Sequence, residues 1–248
     1  MKILRTIAAI FAILLSTGYS QATAQLHLDV ETGVVFSGYN DVQIPNNSGT
    51  KISLSDELET DPGFFWRVRL IYSFAKRHNI AFLVAPLRLE GEGIINRQVN
   101  FEGEQFPQGV LIKSKYRFDS YRITYRYDVY HSKKLQTGLG VSAKIRDASI
   151  SLKGDNKEAE KKNTGFVPLV NFRLEWMFAK RFTLILDGDA LAGPQGRAED
   201  ILLAAAYDLH ENLKVKLGYR MLEGGADVDE VYNFALLNYM VIGATLSF

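Results

Sequence analysis

The sequence predicts an all-β chain that closes into a single antiparallel transmembrane barrel, with ten strands as the best-fitting count. Three observations lead to this fold class. Apolar and polar residues alternate with a period of two along most of the chain. Short turns alternate with longer polar connections. After residue 24, no stretch approaches the roughly 20 consecutive apolar residues that a membrane-spanning helix needs.

The composition excludes several functional classes. Of the 248 residues, 47% are hydrophobic, and 29 basic against 28 acidic side chains give a net charge of +1. A balance so close to neutral, without a basic stripe, argues against nucleic acid as a partner. The absence of cysteine excludes disulfides, thiolate zinc sites, iron–sulfur clusters and cysteine nucleophiles. We therefore expect neither a cofactor nor a bound metal.

Residues 1–24 have the pattern of a secretory signal peptide. Lys2 and Arg5 form a basic start, residues 7–15 are apolar, and Ala22-Thr23-Ala24 is an A-x-A cleavage site. The alternative is a membrane anchor, but an apolar helix of this length spans only about 14 Å, about half of a bilayer core. We predict cleavage after Ala24, which leaves residues 25–248 as the barrel.

Ten segments carry the strand pattern. The clearest runs from Tyr121 to Val129, where one face is aromatic and aliphatic and the other carries two Arg, a Thr and an Asp. An even strand count, with both chain ends on the short-turn side, is typical of outer-membrane barrels. The third and fourth segments have the weakest pattern, so eight or twelve strands are the alternatives. The predicted strands are 26–39, 62–74, 80–101, 106–130, 135–152, 165–178, 182–192, 198–209, 213–222 and 232–248.

The third strand has no clear alternation at its start, and two prolines interrupt the strand pattern. Residues 80–87 are apolar on both faces, so the charged residues that follow must set the phase of this strand. We predict that Arg88 and Glu90 point into the lumen, because an Arg that faces lipid at the bilayer midplane destabilises a barrel by about 2–4 kcal/mol. Pro86 and Pro168 have no N–H to donate to a strand ladder. We therefore expect a bulge at each, toward the loop-side rim.

The connections differ in charge between the two rims. Short turns at 75–79, 131–134, 179–181 and 210–212 are mostly basic, and we expect them to meet anionic lipid headgroups. Longer polar stretches at 40–61, 153–164, 193–199 and 223–231 are predicted loops, with a hairpin tip near 102–109. The first and last of these loops are acidic. Divalent cations could bridge them to lipopolysaccharide, although solubility also explains their charge.

The aromatic residues favour lipid, rather than a protein core, as the surroundings of the apolar face. A soluble sandwich or a lipocalin-like barrel would alternate in the same way, with its apolar face inside. Here aromatic residues lie near both ends of the apolar stripes, as expected at two water–lipid interfaces. They are Tyr72, Phe74, Tyr125, Tyr127, Trp176 and Phe178 toward the short turns, and Phe36, Phe64, Trp66, Phe166 and Tyr219 toward the loops.

The last strand carries a family resemblance. Met240, Ile242 and Leu246 are among the apolar residues at every second position of this strand, and the chain ends on Phe248. This pattern resembles the C-terminal signature of bacterial outer-membrane barrels, which the barrel-assembly machinery of that family reads. With the signal peptide, it makes the chain similar to small proteins of the OmpA, OmpX and OmpW kind. The resemblance implies the cell outer membrane as location, with its lipids, lipopolysaccharide and the assembly machinery as partners.

With the apolar face toward lipid, the charged residues point into the lumen and should form an ionic network. Small residues at Gly138, Gly140, Ala204, Ala206, Gly218 and Gly243 would leave room for long arginines. The network is either structural filling, or the lining of a narrow polar pore or solute site. Its predicted cations are Arg67, Arg69, Arg122, Arg126, Lys144, Arg146, Arg173, Lys214, Lys216 and Arg220. Its predicted anions are Asp29, Glu31, Asp128, Glu175, Asp187, Asp189, Asp200 and Asp208.

Known barrel enzymes provide a comparison for catalysis. Outer-membrane phospholipases, lipid A deacylases and omptin-like proteases place a histidine with Ser, Asp or Glu near the outer rim. The four histidines here, His27, His78, His131 and His210, fall at the opposite, periplasmic end in the predicted topology, on separate segments. Asp187 with Asp189, and Asp208 with His210, are carboxylate groupings that salt bridging or a turn position explains, and we expect neither to be catalytic.

Members of this broad class serve as structural proteins, adhesion surfaces, narrow channels or enzymes, and the fold does not choose among them. The sequence favours a non-enzymatic integral barrel that is structural or binds through its loops. The alternatives are a narrow polar solute channel and, third, a lipid- or peptide-modifying enzyme. A specific ligand cannot be read from the sequence.

Overall fold

A computed structural model describes residues 24–248, so the predicted signal peptide lies outside the described residues except for Ala24. Alternation and frequent β-branched and aromatic residues produce strands almost throughout. Within the described range, no helix is long and apolar enough to cross a membrane. The strands are β1 (Gln25–Gln43), β2 (Ile52–Ser53), β3 (Gly63–Phe74), β4 (His78–Ala85), β5 (Arg88–Ile94), β6 (Val99–Phe101), β7 (Glu104–Phe106), β8 (Leu111–His131), β9 (Leu135–Gly154), β10 (Lys157–Ala179), β11 (Phe182–Gly193), β12 (Gly196–His210), β13 (Leu213–Val228) and β14 (Val231–Ser247).

Ten of these strands form a closed antiparallel ring, which confirms the predicted barrel and its strand count. The ring runs in chain order through β1, β3, β4 and β8 to β14. It closes where β14 pairs with β1 from His27↔Ser247 to Gln43↔Tyr232. Closure gives every wall strand a partner on both sides, although some pairings, such as that of β10 with β11, cover only part of a strand. One end of the barrel carries the short turns, and we call the other the loop end.

Most connections at the loop end are extended hairpins, so the predicted loops at 153–164, 193–199 and 223–231 are wrong in extent. β9 and β10 remain paired up to Gly154↔Lys157, and the two-residue tip, Asp155 and Asn156, has φ values of 50° and 59°. Asp and Asn tolerate this left-handed backbone, which suits a tight hairpin. The other two hairpins close similarly at Gly193↔Gly196 and Val228↔Val231.

The third predicted strand is broken at Pro86 rather than bulged. β4 and β5 both pair with β8, at Ala85↔Ser120 and again at Arg88↔Arg117. The phase of the two halves is the same, so Leu87 and Leu89 are buried inside.

Arg88 and Glu90 therefore point outward, and the predicted inward orientation is wrong. Arg88 forms an ion pair with Asp119, and Glu90 lies 3.2 Å from Lys115. The prediction assumed that these residues lie at bilayer depth. They lie nearer the loop end, beside outward lysines of β8, where a charged side chain can remain in water.

The predicted bulge at Pro168 is also wrong. Pro168 pairs with Ala143 of β9 in an uninterrupted register. On its other side, β10 pairs with β11 only from Val170↔Ala190 toward the short turns. The missing N–H of Pro168 therefore costs no ladder hydrogen bond on the β11 side, because that edge of β10 has no partner there.

The polarity of the wall inverts along the barrel axis. On β8, even-numbered side chains face inward from Ile112 to Arg126. Ile112 and Tyr116 are buried beside outward Lys115, whereas Arg122 is buried beside outward Ile123. β8 has 21 residues, about twice the 9–11 that cross a bilayer. Only the half nearer the short turns has an apolar outer face. The half at the loop end is built like a soluble barrel, with its apolar side chains inside.

The connections after β1 and after β5 fold into the loop end and fill it. Ile44, Leu54 and Leu58 from the first connection, and Phe101 and Phe106 from the β6–β7 hairpin, are completely buried. The two connections are joined by backbone hydrogen bonds of 2.8 Å, from residue 50 to residue 100, and 3.0 Å, from residue 102 to residue 44. The predicted polar loop at 40–61 is therefore largely a packed cap.

An ion pair on the surface of this cap also joins the two connections. Arg97 donates hydrogen bonds to the carboxylate of Glu57, one of them 3.0 Å long. These hydrogen bonds lower the pKa of Glu57 below its ordinary value. Glu57 is thus held as a carboxylate that ties the two connections together.

Candidate functional site

The charged residues predicted for the lumen come together inside the half of the barrel with the apolar outer face. All of the predicted lumen cations except Lys144 and Arg146 have a carboxylate within 4.0 Å. The anions Asp128, Glu175, Asp187 and Asp189 all take part in these ion pairs. The lumen is therefore filled by an ionic network in this region.

Asp200 and Glu31 are the centres of the network. Asp200 accepts hydrogen bonds from Arg67 at 3.0 Å and from Arg122 and Arg220 at 2.5 Å each. Glu31 accepts from Arg220 at 2.9 Å and from Lys216 at 2.7 Å. Each of these six side chains is at most 5% exposed.

Charge is balanced within this cluster, which explains how so many ionised groups can be buried together. Asp29 pairs with Lys216 at 2.8 Å and Asp189 pairs with Arg122 at 2.7 Å. With Asp200 and Glu31, these acids give four carboxylates for the four cations Arg67, Arg122, Lys216 and Arg220. Burying charges is costly unless each has several close partners, and here most have at least two.

The network crosses the barrel. Arg69 on β3 contacts Asp187 on β11 at 3.0 Å, and these strands are five positions apart in the ten-strand ring. They therefore belong to opposite walls. Asp187 is also paired with Arg173, which lies 2.5 Å from Glu175. Side chains thus bridge the full width of the lumen.

Small residues provide the space that the long side chains occupy, as the sequence suggests. A Cβ at Gly243 would lie 2.6 Å from Cε of Lys216, and a Cβ at Gly138 would lie 2.8 Å from Cδ of Arg126. Both distances are far inside van der Waals contact. Glycine at these positions is therefore required by packing rather than by backbone conformation.

Two cavities flank the network. One, about 530 Å³, opens at the short-turn end and is lined by His27, Arg126, Asp128, Glu175 and Lys214, among others. The second, about 310 Å³, lies on the other side of the network, beside Lys144 and Arg146. The ionic network separates the two.

All four histidines lie toward the short-turn end. His27 contacts the hydroxyl of Ser247 at 2.8 Å, and His78 contacts that of Tyr125 at 2.8 Å. His131 and His210 end β8 and β12 at short turns. Between residues 24 and 248, no group of three or more His, Asp or Glu side chains is arranged to hold a metal ion.

The two carboxylate groupings noted in the sequence have cationic or hydroxyl partners. Asp187 is held by two arginines, and Asp189 accepts a 2.5 Å hydrogen bond from Ser142 besides its pair with Arg122. Asp208 lies 3.7 Å from Lys214.

The residues of the predicted assembly signal are on the outer face. Met240, Ile242, Leu246 and Phe248 are between 40% and 72% exposed. The backbone N–H of Phe248 donates to the carbonyl of Leu26 at 2.9 Å, which fixes the end of the last strand against the first.

Sequence alternation could not reveal the apolar cap at the loop end, because its residues come from connections with no regular period. The inversion of polarity, by contrast, is visible in the sequence. On β8, outward Lys113, Lys115 and Arg117 precede outward Tyr121 and Ile123 at the same two-residue spacing.

Comparison with known structures supports the fold. The outer membrane protease OmpT from Escherichia coli superposes with a TM-score of 0.62 at 9% identity, over 94% of this chain and 100% of OmpT. Ail from Yersinia pestis matches at 12% identity and a TM-score of 0.39, over 90% of this chain and 99% of Ail. Neisserial surface protein A matches at 14% identity and a TM-score of 0.35, over 92% and 100%. No protein-family model and no curated protein matches the sequence.

At this level of identity, the similarity to OmpT concerns the fold alone. Both chains form barrels of the outer-membrane type, and the match covers nearly all of each. It carries no catalytic residue over to this chain.

Proposed function

We propose that this chain, which has the fold of the bacterial outer-membrane β-barrels, is a non-enzymatic integral protein of the cell outer membrane whose lumen is closed to solutes. The contact between Arg69 and Asp187 across the full width of the barrel carries this proposal. The surrounding pairs around Asp200 and Glu31 leave few charged groups free to solvate a passing ion. The barrel then acts structurally, or by binding through its loop end.

Conductance is the direct test of the closed lumen. Purified protein refolded into planar bilayers should give no sustained single-channel current at any salt concentration from about 0.1 to 1 M, a range over which ionic screening changes strongly. The double variant Arg69→Ala/Asp187→Ala removes the bridge and both of its charges together. A current in this variant alone would assign the closure to the bridge rather than to the pairs around Asp200 or to the cap at the loop end. A reproducible current from the unaltered protein would favour the alternative of a narrow polar channel.

We also propose that the protein is not an enzyme. The support is the location of all four histidines toward the short-turn end, away from the outer rim where barrel hydrolases act. The refolded protein should hydrolyse neither phospholipid nor peptide substrates above background. Hydrolysis that falls tenfold or more in a refolded Asp187→Asn or His210→Gln variant would contradict this proposal.

We also propose how the protein is exported and assembled, and which lipids surround it. The signal peptide would be removed after Ala24, and the assembly machinery would read the last strand up to Phe248. Outer-membrane lipids would then surround the exposed apolar band, which includes Phe82, Val141 and Leu217. Lipopolysaccharide would meet the charged wall above that band.

A further inference from the structure

We propose that the 310 Å³ cavity beside Lys144 is a binding site for a single-chain anionic amphiphile, with Lys144 and Arg146 holding its carboxylate or phosphate head. Binding of such a molecule would be a further property of the protein, beyond the proposed function. It does not depend on whether the lumen conducts ions. Three independent features carry the inference: a gap in the barrel wall, a cavity behind the gap, and two cations that lack carboxylate partners.

The gap lies between β10 and β11. Their pairing ends at Val170↔Ala190, while β10 continues to Lys157 paired only with β9, and β11 continues to Gly193 paired only with β12. The two strands therefore separate toward the loop end. Pro168, just past the last pair, has no N–H with which to continue the ladder. The wall is thus open laterally between these two strands.

The cavity connects this gap to the barrel interior. On the gap side it is lined by Phe166, Pro168 and Leu191, of which Phe166 and Leu191 are also 69% and 42% exposed on the outer surface. On the inner side it is lined by Phe118 and Lys144. A volume of 310 Å³ is at the lower end of the range for small-molecule sites, so it suits a head group better than a whole lipid.

Lys144 is a buried amine without a close carboxylate partner. Its side chain is 4% exposed, and no carboxylate in residues 24–248 lies within 4.0 Å of its ammonium group. Its ammonium nitrogen lies 4.7 Å from the centre of the Phe118 ring, which compensates only part of the lost hydration. An anionic ligand would supply the missing charge.

Arg146 is the second unneutralised cation at the cavity. Its guanidinium donates to the side chain of Asn163, and its Nε is buried without a hydrogen-bond partner in the described structure. The one carboxylate in the cavity lining, Glu223, lies 2.8 Å from Arg197 and also accepts from Tyr39. It is therefore already engaged, and the cavity retains excess positive charge.

The depth of the gap indicates the chemistry of the ligand. Phe166 and Ile145 are exposed and apolar on the outer face, whereas the next outward residues toward the loop end, Thr164 and Asp147, are polar. The gap thus lies at the boundary between the apolar band and the polar wall. A molecule with its head on Lys144 could keep an alkyl chain in the lipid beside Phe166, which a free inorganic anion cannot do.

Photolabelling tests this site. Protein refolded in non-ionic detergent would be labelled with a long-chain fatty acid that carries a diazirine in its chain, and the labelled peptides identified by mass spectrometry. We expect labelling around Phe166–Pro168 or Leu191, competed by dodecyl phosphate and not by inorganic phosphate. Labelling should fall at least fivefold in Lys144→Gln and in Arg146→Gln. The control Lys214→Gln, which removes a lumen cation at the short-turn end, should label normally.

Three results would overturn the proposal. Unchanged labelling in the Lys144→Gln/Arg146→Gln double variant would mean that the probe only follows the detergent-covered surface. Equal labelling by the corresponding uncharged alcohol would remove the role of the cations. Competition by inorganic phosphate as strong as that by dodecyl phosphate would indicate a simple anion site. Lys144→Gln should refold, because it removes a buried charge without stranding a partner, and Arg146→Gln provides a second, independent variant.

Discussion

Replacing Asp200 with alanine is expected to destabilise the barrel by about 3–5 kcal/mol, the cost of removing one partner from a buried ion cluster. The carboxylate of Asp200 receives hydrogen bonds from Arg67, Arg122 and Arg220. Its loss would leave three buried guanidiniums with too few anions. Urea unfolding of the protein in lipid vesicles, followed by the gel-mobility difference between folded and unfolded barrels, measures the effect.

Asp208→Ala is the matched control for this prediction. Asp208 also pairs with a lumen cation, Lys214, but at 3.7 Å and with both side chains about 30% exposed. Partly solvated pairs contribute at most about 1 kcal/mol. Equal losses in the free energy of unfolding of the two variants would mean that the buried cluster contributes no more to stability than a partly exposed ion pair.

A charge added to the outer face of β9 should destabilise the barrel in one half of the strand and have little effect in the other. Val141 is 62% exposed in the apolar band, and Val141→Arg should lower stability in vesicles by about 2–4 kcal/mol. Ser151 faces outward on the same strand, opposite Lys115 of β8 and Glu160 of β10. Ser151→Arg should change stability by less than about 0.5 kcal/mol, because its side chain meets water.

The comparison of these two variants tests the orientation of the whole barrel. The same urea titration in vesicles applies, with folding efficiency as a second readout. If Val141→Arg were as harmless as Ser151→Arg, the apolar band would not be facing lipid. The protein would then be a soluble barrel with an unusual exposed surface.

The sequence predicted the ring of ten strands because alternation with a period of two is a local property. Every wall strand except β4, which is apolar on both faces, shows it, and the short turns mark where the chain reverses. The error at Arg88 and Glu90 arose from assuming that the whole strand crosses lipid. From the inversion of polarity along β8 we infer that the half of the wall at the loop end faces water, where outward charges are stable.

The sequence predicted which residues belong to the candidate site, but not which of them contact each other. Alternation places Arg69 and Asp187 on the inner face of their strands. Only the closed ring reveals that β3 and β11 face each other, so that these two side chains meet across the lumen. The balance of four carboxylates and four cations around Asp200 likewise becomes visible only in the closed ring.

The sequence by itself determined the fold class, the number of wall strands and, in the half with the apolar outer face, which residues point inward, because each depends on neighbours along the chain. The tertiary structure decided where the wall changes from lipid-facing to water-facing, how the first connection and the β6–β7 hairpin fill the loop end, and which lumen cations keep no carboxylate. These depend on distances between residues far apart in sequence, which barrel closure and packing fix and no local pattern encodes.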